Sequence, residues 1–369
     1  MDHYLGAKSN KMRIPTSLLL LSLLLLGFSG CKDDSSGITP TAKEIIRGAD
    51  LSFVPEIEEA GTKFYNANGS EEDILSQLSN AGCNLVRVRL WHSPSNNHSG
   101  LSEVAALCQR VKQKGMKVML DIHYSDTWAD PGKQETPTAW KNLSLNTLTD
   151  SVYNYTSVVL SLIRPEYVQI GNEINSGFLW DQGKISNEAA FVQLLKAGVK
   201  ASRDVVPNTR IILHFAGMTG SEWFFGMLKT NNVDYDVMAL SYYPIWHGKD
   251  IALVDSTMYR LVNLTTKEVM IVETSYPFTL EWNDYTTNII GANHQILPDF
   301  PATETGQLAY MKQIKGMVKR AYKGIGFVYW GGEWVAFKGS TSTDGSSWEN
   351  QALFDFNNKG LPVMEAFNK

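Results

Sequence analysis

Tyr167-Val168-Gln169-Ile170-Gly171-Asn172-Glu173-Ile174 is a short apolar, β-branched run that breaks off into small and polar residues. Seven more runs of this kind lie along the chain, at residues 45–54, 85–91, 117–124, 210–215, 237–243, 268–274 and 324–330. Most are continuously apolar, as expected for parallel strands covered on both faces. Helical patterns fall between them. Residues 71–81 place Ile74, Leu75 and Leu78 on one face, and residues 102–114 do the same with Val104, Leu107, Cys108 and Val111. Residues 147–163, 187–205 and 305–323 read alike, and Gly82 and Gly115 follow helices as left-handed caps do.

Eight βα units in one unbroken chain predict a (β/α)8 TIM barrel, a single α/β domain with long βα loops. The competing fold is an open doubly wound sheet. That fold usually carries a glycine-rich phosphate loop after an early strand, and no such pattern is present. A barrel takes about 250 residues. The surplus sits in stretches that follow strands, at 125–141, 275–303 and 331–350. Loops after strands lie on the face of a barrel where active sites form.

The first 30 residues predict an export signal. Lys8, Lys11 and Arg13 precede an apolar run, 17–28, too short for a span of about 20 residues. Phe28-Ser29-Gly30-Cys31 resembles a bacterial lipobox, so Cys31 is the expected lipidation site. Met12 offers an alternative start. Residues 31–43 form the lipidated cysteine and a polar tether. The acidic pair Asp33-Asp34 resembles the surface-export signal of some Gram-negative lipoproteins. The expected location is therefore the outer membrane, at the cell surface, with residues 44–369 as the barrel domain. Cys83 and Cys108 then remain, and buried free thiols are expected, with a disulfide as the alternative.

The 369 residues carry a net charge of −5, and loss of the basic leader makes the remainder two charges more negative. This argues against a nucleic-acid partner, which calls for a basic stripe. The apolar fraction, 43%, excludes disorder. Ten tryptophans suit a protein that stacks on flat ligands, though they also fill cores.

Two carboxylates stand at expected strand ends: Glu173 after the fourth and Glu273 after the seventh, in Ile271-Val272-Glu273-Thr274. An unpaired carboxylate in a partly buried mouth is costly, so each calls for a purpose. Either could simply pair with Arg87 or Arg89. Strands four and seven face each other across a barrel, and two carboxylates flanking one bond are what glycoside hydrolysis requires.

Several stretches resemble glycoside hydrolase family 53, the endo-β-1,4-galactanases. They are Val86-Arg87-Val88-Arg89-Leu90-Trp91, Asp121-Ile122-His123-Tyr124-Ser125-Asp126-Thr127-Trp128-Ala129-Asp130-Pro131, the Asn172-Glu173 stretch through Asn175, Ile271 to Thr274, and Asn350-Gln351-Ala352-Leu353-Phe354-Asp355. The resemblance implies a retaining, endo-acting enzyme with Glu173 as acid/base and Glu273 as nucleophile, acting on galactan side chains of pectin as a monomer. It also implies sugar contacts. Asn172 would donate to a 2-hydroxyl, Tyr242 or Tyr243 would hold Glu273, and His123, His214 and Asp126 would line the sugar site. Arg89 is the expected donor keeping Glu273 ionised. Trp91, Trp128, Trp330 and Trp334 are expected stacking platforms, with Trp180, Trp246 and Trp348 weaker candidates and Trp140 and Trp223 assigned to packing. No cofactor is needed for the chemistry. A structural calcium between the seventh and eighth loops would be held by Asp284, Asn288 and Glu349, although the loop is poorer in carboxylates than bacterial relatives would suggest. Two other readings stay open: another retaining barrel glycosidase, such as a mannanase or xylanase, and a non-catalytic glycan-binding surface lipoprotein.

Overall fold

The computed structural model describes residues 44–369. The leader at 1–30, Cys31 and the tether lie outside the described residues.

Eight parallel strands close into a barrel in the order β1-β2-β3-β4-β5-β6-β7-β8. They are β1 (Ile46–Asp50), β2 (Leu85–Leu90), β3 (Lys117–Ile122), β4 (Tyr167–Ile170), β5 (Arg210–Ala216), β6 (Val237–Ser241), β7 (Glu268–Thr274) and β8 (Gly324–Tyr329). β1 pairs with β2 and with β8, which completes the ring. All eight expected strands are present. Most end earlier than the apolar runs do, because the last residues of each run turn into the loops at the mouth.

The α-helices are α1 (Val54–Glu59), α2 (Ile74–Asn80), α3 (Leu101–Gln113), α4 (Leu145–Ile163), α5 (Glu188–Val205), α6 (Ser221–Thr230), α7 (Pro244–His247), α8 (Ile251–Thr265) and α9 (Glu304–Arg320). Their starts are written in side chains. Asp73, Ser144, Asp250 and Thr303 each accept backbone N–H bonds from the first turns of α2, α4, α8 and α9. Arg164 ends α4 in the left-handed region just before Pro165, which cannot continue a helix.

Two apolar layers follow from this geometry. The barrel interior is filled by Ile46, Leu85, Met119, Tyr167, Ile212, Val237, Ala239, Met270, Val272, Ile325 and Val328. A larger layer lies between the strands and the helices, with Val86, Leu120, Ile170, Leu213, Leu240, Ile271 and Phe327 facing outward into it. Cys83 and Cys108 are buried free thiols, and burial pushes both up to about 12. Trp140 packs in the interior as expected. Trp223 does not: it stands 59% exposed on α6.

Candidate active site

The interior changes character at the carboxyl ends of the strands. Above the apolar layer, β1 to β4 present Asp50, Arg87, Asp121 and Gln169, all buried. Strand register places Asp50 opposite Arg87 and Asp121 opposite Gln169. The Arg87 guanidinium is the hub. It donates to Asp50 and Asp121 at 2.8 Å each, to Asn172 at 2.8 Å and to Gln169 at 3.3 Å. It also pairs with Glu273 Oε1 at 2.9 Å. Burial works against this charge, but Asp121, Glu273 and Asp50 together hold the arginine pKa above its ordinary value.

The ion pair expected between Arg89 and Glu273 is thus made by Arg87, two residues earlier. Arg89 lies instead against the rings of Phe53, Trp91 and Trp128, with its guanidinium carbon 4.1–4.6 Å from their centroids. Its side chain bonds Ser99 Oγ, and burial lowers its pKa to about 10.

Two local distortions aim the glutamates. Gly171 and Glu173 both have positive φ, 79° and 45°, so the chain doubles back just past β4. At Gly171 a Cβ would sit 2.6 Å from Ile174, which excludes a side chain. The β7 ladder slips register on both edges near Glu273, and such irregularities re-aim side chains at barrel rims. The carboxylates of Glu173 and Glu273 and a ring nitrogen of His214 each offer an atom within 4.8 Å of the others.

The two carboxyls have different partners. Glu273 takes the Arg87 ion pair on Oε1 and the Tyr243 hydroxyl on Oε2 at 3.1 Å. Glu173 takes one hydroxyl donor, Ser241 Oγ at 2.5 Å. Burial pushes Glu173 up to about 7. Burial and the neighbouring Glu173 charge also push Glu273 up, while Arg87 opposes them. Two carboxyls this close share a proton. The guanidinium contact favours the charge on Glu273.

His214 is completely buried beneath Glu173, with Nδ1 against Asn172 Oδ1 at 2.9 Å and Nε2 against Ser241 Oγ at 2.8 Å. It therefore supports the glutamate from below. His123 lines the cleft. Its Nδ1 accepts from the Ala129 amide and Trp91 Nε1, so Nε2 carries the hydrogen shared with Asp121. Burial lowers the pKa of both histidines. Asn172 faces the cleft and donates to Ala129 O.

Other expected contacts lie elsewhere. Tyr242 is fully buried and donates to Gly248 O, so of the two tyrosines it is Tyr243 that holds Glu273. Asp126 ties the loop after β3, accepting from the Ser93 and Thr138 amides. Trp91 lies under Trp128 and offers no open face.

The cleft itself encloses about 460 Å³. Trp128, Trp330 and Trp334 line it as expected. So do Trp246 and Trp348, which stack on each other at 5.9 Å and 29°. Trp180 lies outside it, half-buried in the loop after β4. Asp50, Asp121, Gln169, Ser241 and His247 were not foreseen. The first three had a legible signal: polar residues inside otherwise apolar strand runs.

The loops after β7 and β8 hold a second polar cluster. Asp284, Asn288 and Glu349 are all buried there. Glu349 Oε1 accepts from the amides of Asn283 and Asp284 and from Asn288 Nδ2. Asp284 Oδ2, Asn288 Oδ1 and Glu349 Oε2 have no hydrogen-bond partner. Three orphaned hard oxygens, two of them from carboxyl groups, fit a calcium ion. Burial raises the Glu349 pKa, with Asp284 adding to the effect.

The sequence agrees with known proteins over this whole barrel. The family described as Glycosyl hydrolase family 53 matches residues 46–367. An arabinogalactan endo-β-1,4-galactanase of Cellvibrio japonicus is 39% identical over 339 residues, spanning 87% of this chain and 89% of its own. An endo-β-1,4-galactanase of Bacillus subtilis is 35% identical over 373 residues, spanning 88% and 86%. The solved Ignisphaera aggregans GH53 catalytic domain superposes with a TM-score of 0.84 at 37% identity, over 88% of this chain and 96% of that one.

Proposed function

Because the chain belongs to glycosyl hydrolase family 53, we propose that it is a retaining endo-β-1,4-galactanase acting on galactan side chains of pectin. The observation that carries the mechanism is the approach of the Glu173 and Glu273 carboxylates to within 4.8 Å. Retaining glycosidases keep their carboxyl groups about 5–5.5 Å apart, while inverting ones leave room for a water at about 6.5–9.5 Å.

In the first step the proton on Glu173 passes to the glycosidic oxygen as that bond to the anomeric carbon breaks. Glu273 Oε attacks the same carbon from the opposite face, forming a glycosyl ester. The charge on Glu273 is then gone, so the Glu173 pKa falls and its carboxylate can take a proton from water. That water opens the ester, and Glu273 leaves as a carboxylate. Arg87 and Tyr243 orient Glu273 throughout. Asn172 is placed to donate its second amide hydrogen to the sugar 2-hydroxyl, and Trp128, Trp330 and Trp334 offer faces to the apolar side of galactose.

Asp284, Asn288 and Glu349 would hold a calcium ion that neutralises their oxygens and ties the loops after β7 and β8. Bond cleavage needs none of these residues. The leader composition supports a lipid on Cys31 and a place on the outer surface of a Gram-negative outer membrane. Protease access on intact cells, lost on Cys31→Ser, tests that anchoring.

The decisive experiment is the time course of products on linear β-1,4-galactan, with mannan and xylan as alternatives. Early release of mixed oligosaccharides from galactan alone is expected. Cleavage of mannan or xylan but not galactan would overturn the substrate assignment. Binding without turnover would favour a capture protein.

A further inference from the structure

His247 ends α7, the short helix that follows β6, and lines the cleft beside Ala216, Trp246 and Glu173. Its Nδ1 accepts the Tyr243 backbone N–H at 3.0 Å. That bond fixes the tautomer: Nδ1 carries the lone pair, so Nε2 carries the hydrogen. Burial lowers the ring pKa to about 4, so the neutral form persists at ordinary pH. Among the described residues, Nε2 has no hydrogen-bond partner. The ring also has a prepared seat. Gly217, at φ 80°, lies directly beneath it, and a Cβ there would come 2.9 Å from His247 Cδ2.

The two halves of the cleft differ. On the side of β8, β1, β2 and β3 lie Trp330, Trp334, Asp50, Arg87, Arg89 and Trp128. On the side of β5 and β6 lie Ala216, Trp246 and His247. Glu173 leans toward this second half, because Ser241 at the end of β6 donates to its Oε1. An acid delivers its proton to the leaving oxygen, so the departing sugar occupies the side toward which the acid leans.

We propose that His247 is a specificity-determining residue, whose Nε2–H donates to a hydroxyl of the leaving-group sugar. The inference rests on the glycosidase reading above and adds which end of the substrate this residue recognises. A donor with a fixed tautomer and a fixed ring rewards a sugar hydroxyl and gives nothing to an aglycone without one.

The test compares two substrates that share the same glycone: galactotetraose and a nitrophenyl β-galactobioside. His247→Phe keeps the ring against Gly217 but removes both nitrogens. Any disturbance of Tyr243 and Glu273 then weakens both substrates alike, whereas loss of the sugar contact weakens only the first. The expected result is a fall of about 10-fold in kcat/KM on the tetraose relative to the nitrophenyl glycoside. His247→Gln, which keeps a donor near the Nε2 position, should recover most of that ratio. An unchanged ratio in His247→Phe, or an equal loss of ratio in both variants, overturns the proposal. If the wild-type protein cleaves neither substrate, the glycosidase reading itself falls, and this inference falls with it.

Discussion

Two polar clusters sit at the same end of this barrel, and they are finished differently. In the first, around Arg87, the side-chain nitrogens and oxygens of Arg87, Asp121, Gln169, Asn172, His214 and Ser241 all have protein partners. In the second, between the loops after β7 and β8, Asp284, Asn288 and Glu349 each leave one oxygen without a partner. Buried polar atoms are costly to leave unpaired. The first cluster is therefore complete in protein alone and preorganised around the glutamates. The second leaves three oxygens without a protein partner, which is what the proposed cation would meet. This suits the one to chemistry and the other to stability, and substitution should separate the two roles.

The largest effect is expected at Glu273. Glu273→Gln keeps the size of the side chain and its contact with Tyr243 but removes the nucleophile. Galactan turnover should fall by roughly 10⁴-fold or more while binding survives. Hydrolysis within about tenfold of wild type would exclude Glu273 as the nucleophile.

Next comes Arg87→Met. Removing the hub leaves Asp50, Asp121 and Glu273 buried without their shared counter-charge, which typically costs about 3–5 kcal/mol. Denaturant unfolding should show that loss. Arg89→Met should cost clearly less, because Arg89 rests on aromatic rings and Ser99 and on no carboxylate. Equal losses would mean that the hub is not special.

That contrast also marks what the sequence could reveal. The eight strands were legible because a strand covered on both faces must be apolar. The glutamates were legible because charges at the ends of such runs have few structural excuses. Which arginine meets Glu273 was not legible. Arg87 and Arg89 lie two residues apart and point to the same side of β2, so alternation cannot separate them. Depth in the barrel decides, and depth depends on register with β1 and β3, where Asp50 lies opposite Arg87 and Asp121 opposite Arg89. His247 was hidden for a similar reason. Its role depends on the turn of α7 and on the space above Gly217, neither of which is a local pattern. The short helix α6 escaped notice, and with it the exposed face of Trp223.

The proposed cation site predicts an intermediate effect. Calcium at about 100 times its Kd should stabilise the fold by about 2.7 kcal/mol, and chelation should reverse this. Asp284→Asn and Glu349→Gln should abolish the calcium dependence of the melting temperature. The Arg87 cluster should not respond to chelation. A calcium shift that persists in both variants would place the ion elsewhere.

A smaller effect is expected from pH. In the proposed mechanism Glu173 holds its proton at rest, and burial pushes its pKa up to about 7. The rate kcat/KM should therefore decline above about pH 7, approaching tenfold per unit. Glu173→Gln should lose that limb together with most activity, and least on substrates whose leaving group needs no proton.

A last effect concerns a carboxyl that belongs to neither cluster. Glu333 is fully buried after β8, with Oε1 on the Phe53 amide at 2.7 Å and Oε2 without a partner. Burial, with the charge of Asp50 nearby, pushes its pKa up to about 8. At neutral pH its own proton thus removes the charge from a buried oxygen. Because the folded pKa lies above the unfolded value, this stabilising difference is complete below about pH 4.5 and is lost as pH rises through 8. Glu333→Gln carries no such proton and imitates the neutral form. Below about pH 4.5 the two proteins should differ by less than about 1 kcal/mol. At pH 9 the variant should be the more stable. A wild type that loses no stability relative to the variant between about pH 5 and 8 would mean that Glu333 is ionised and paired in the fold.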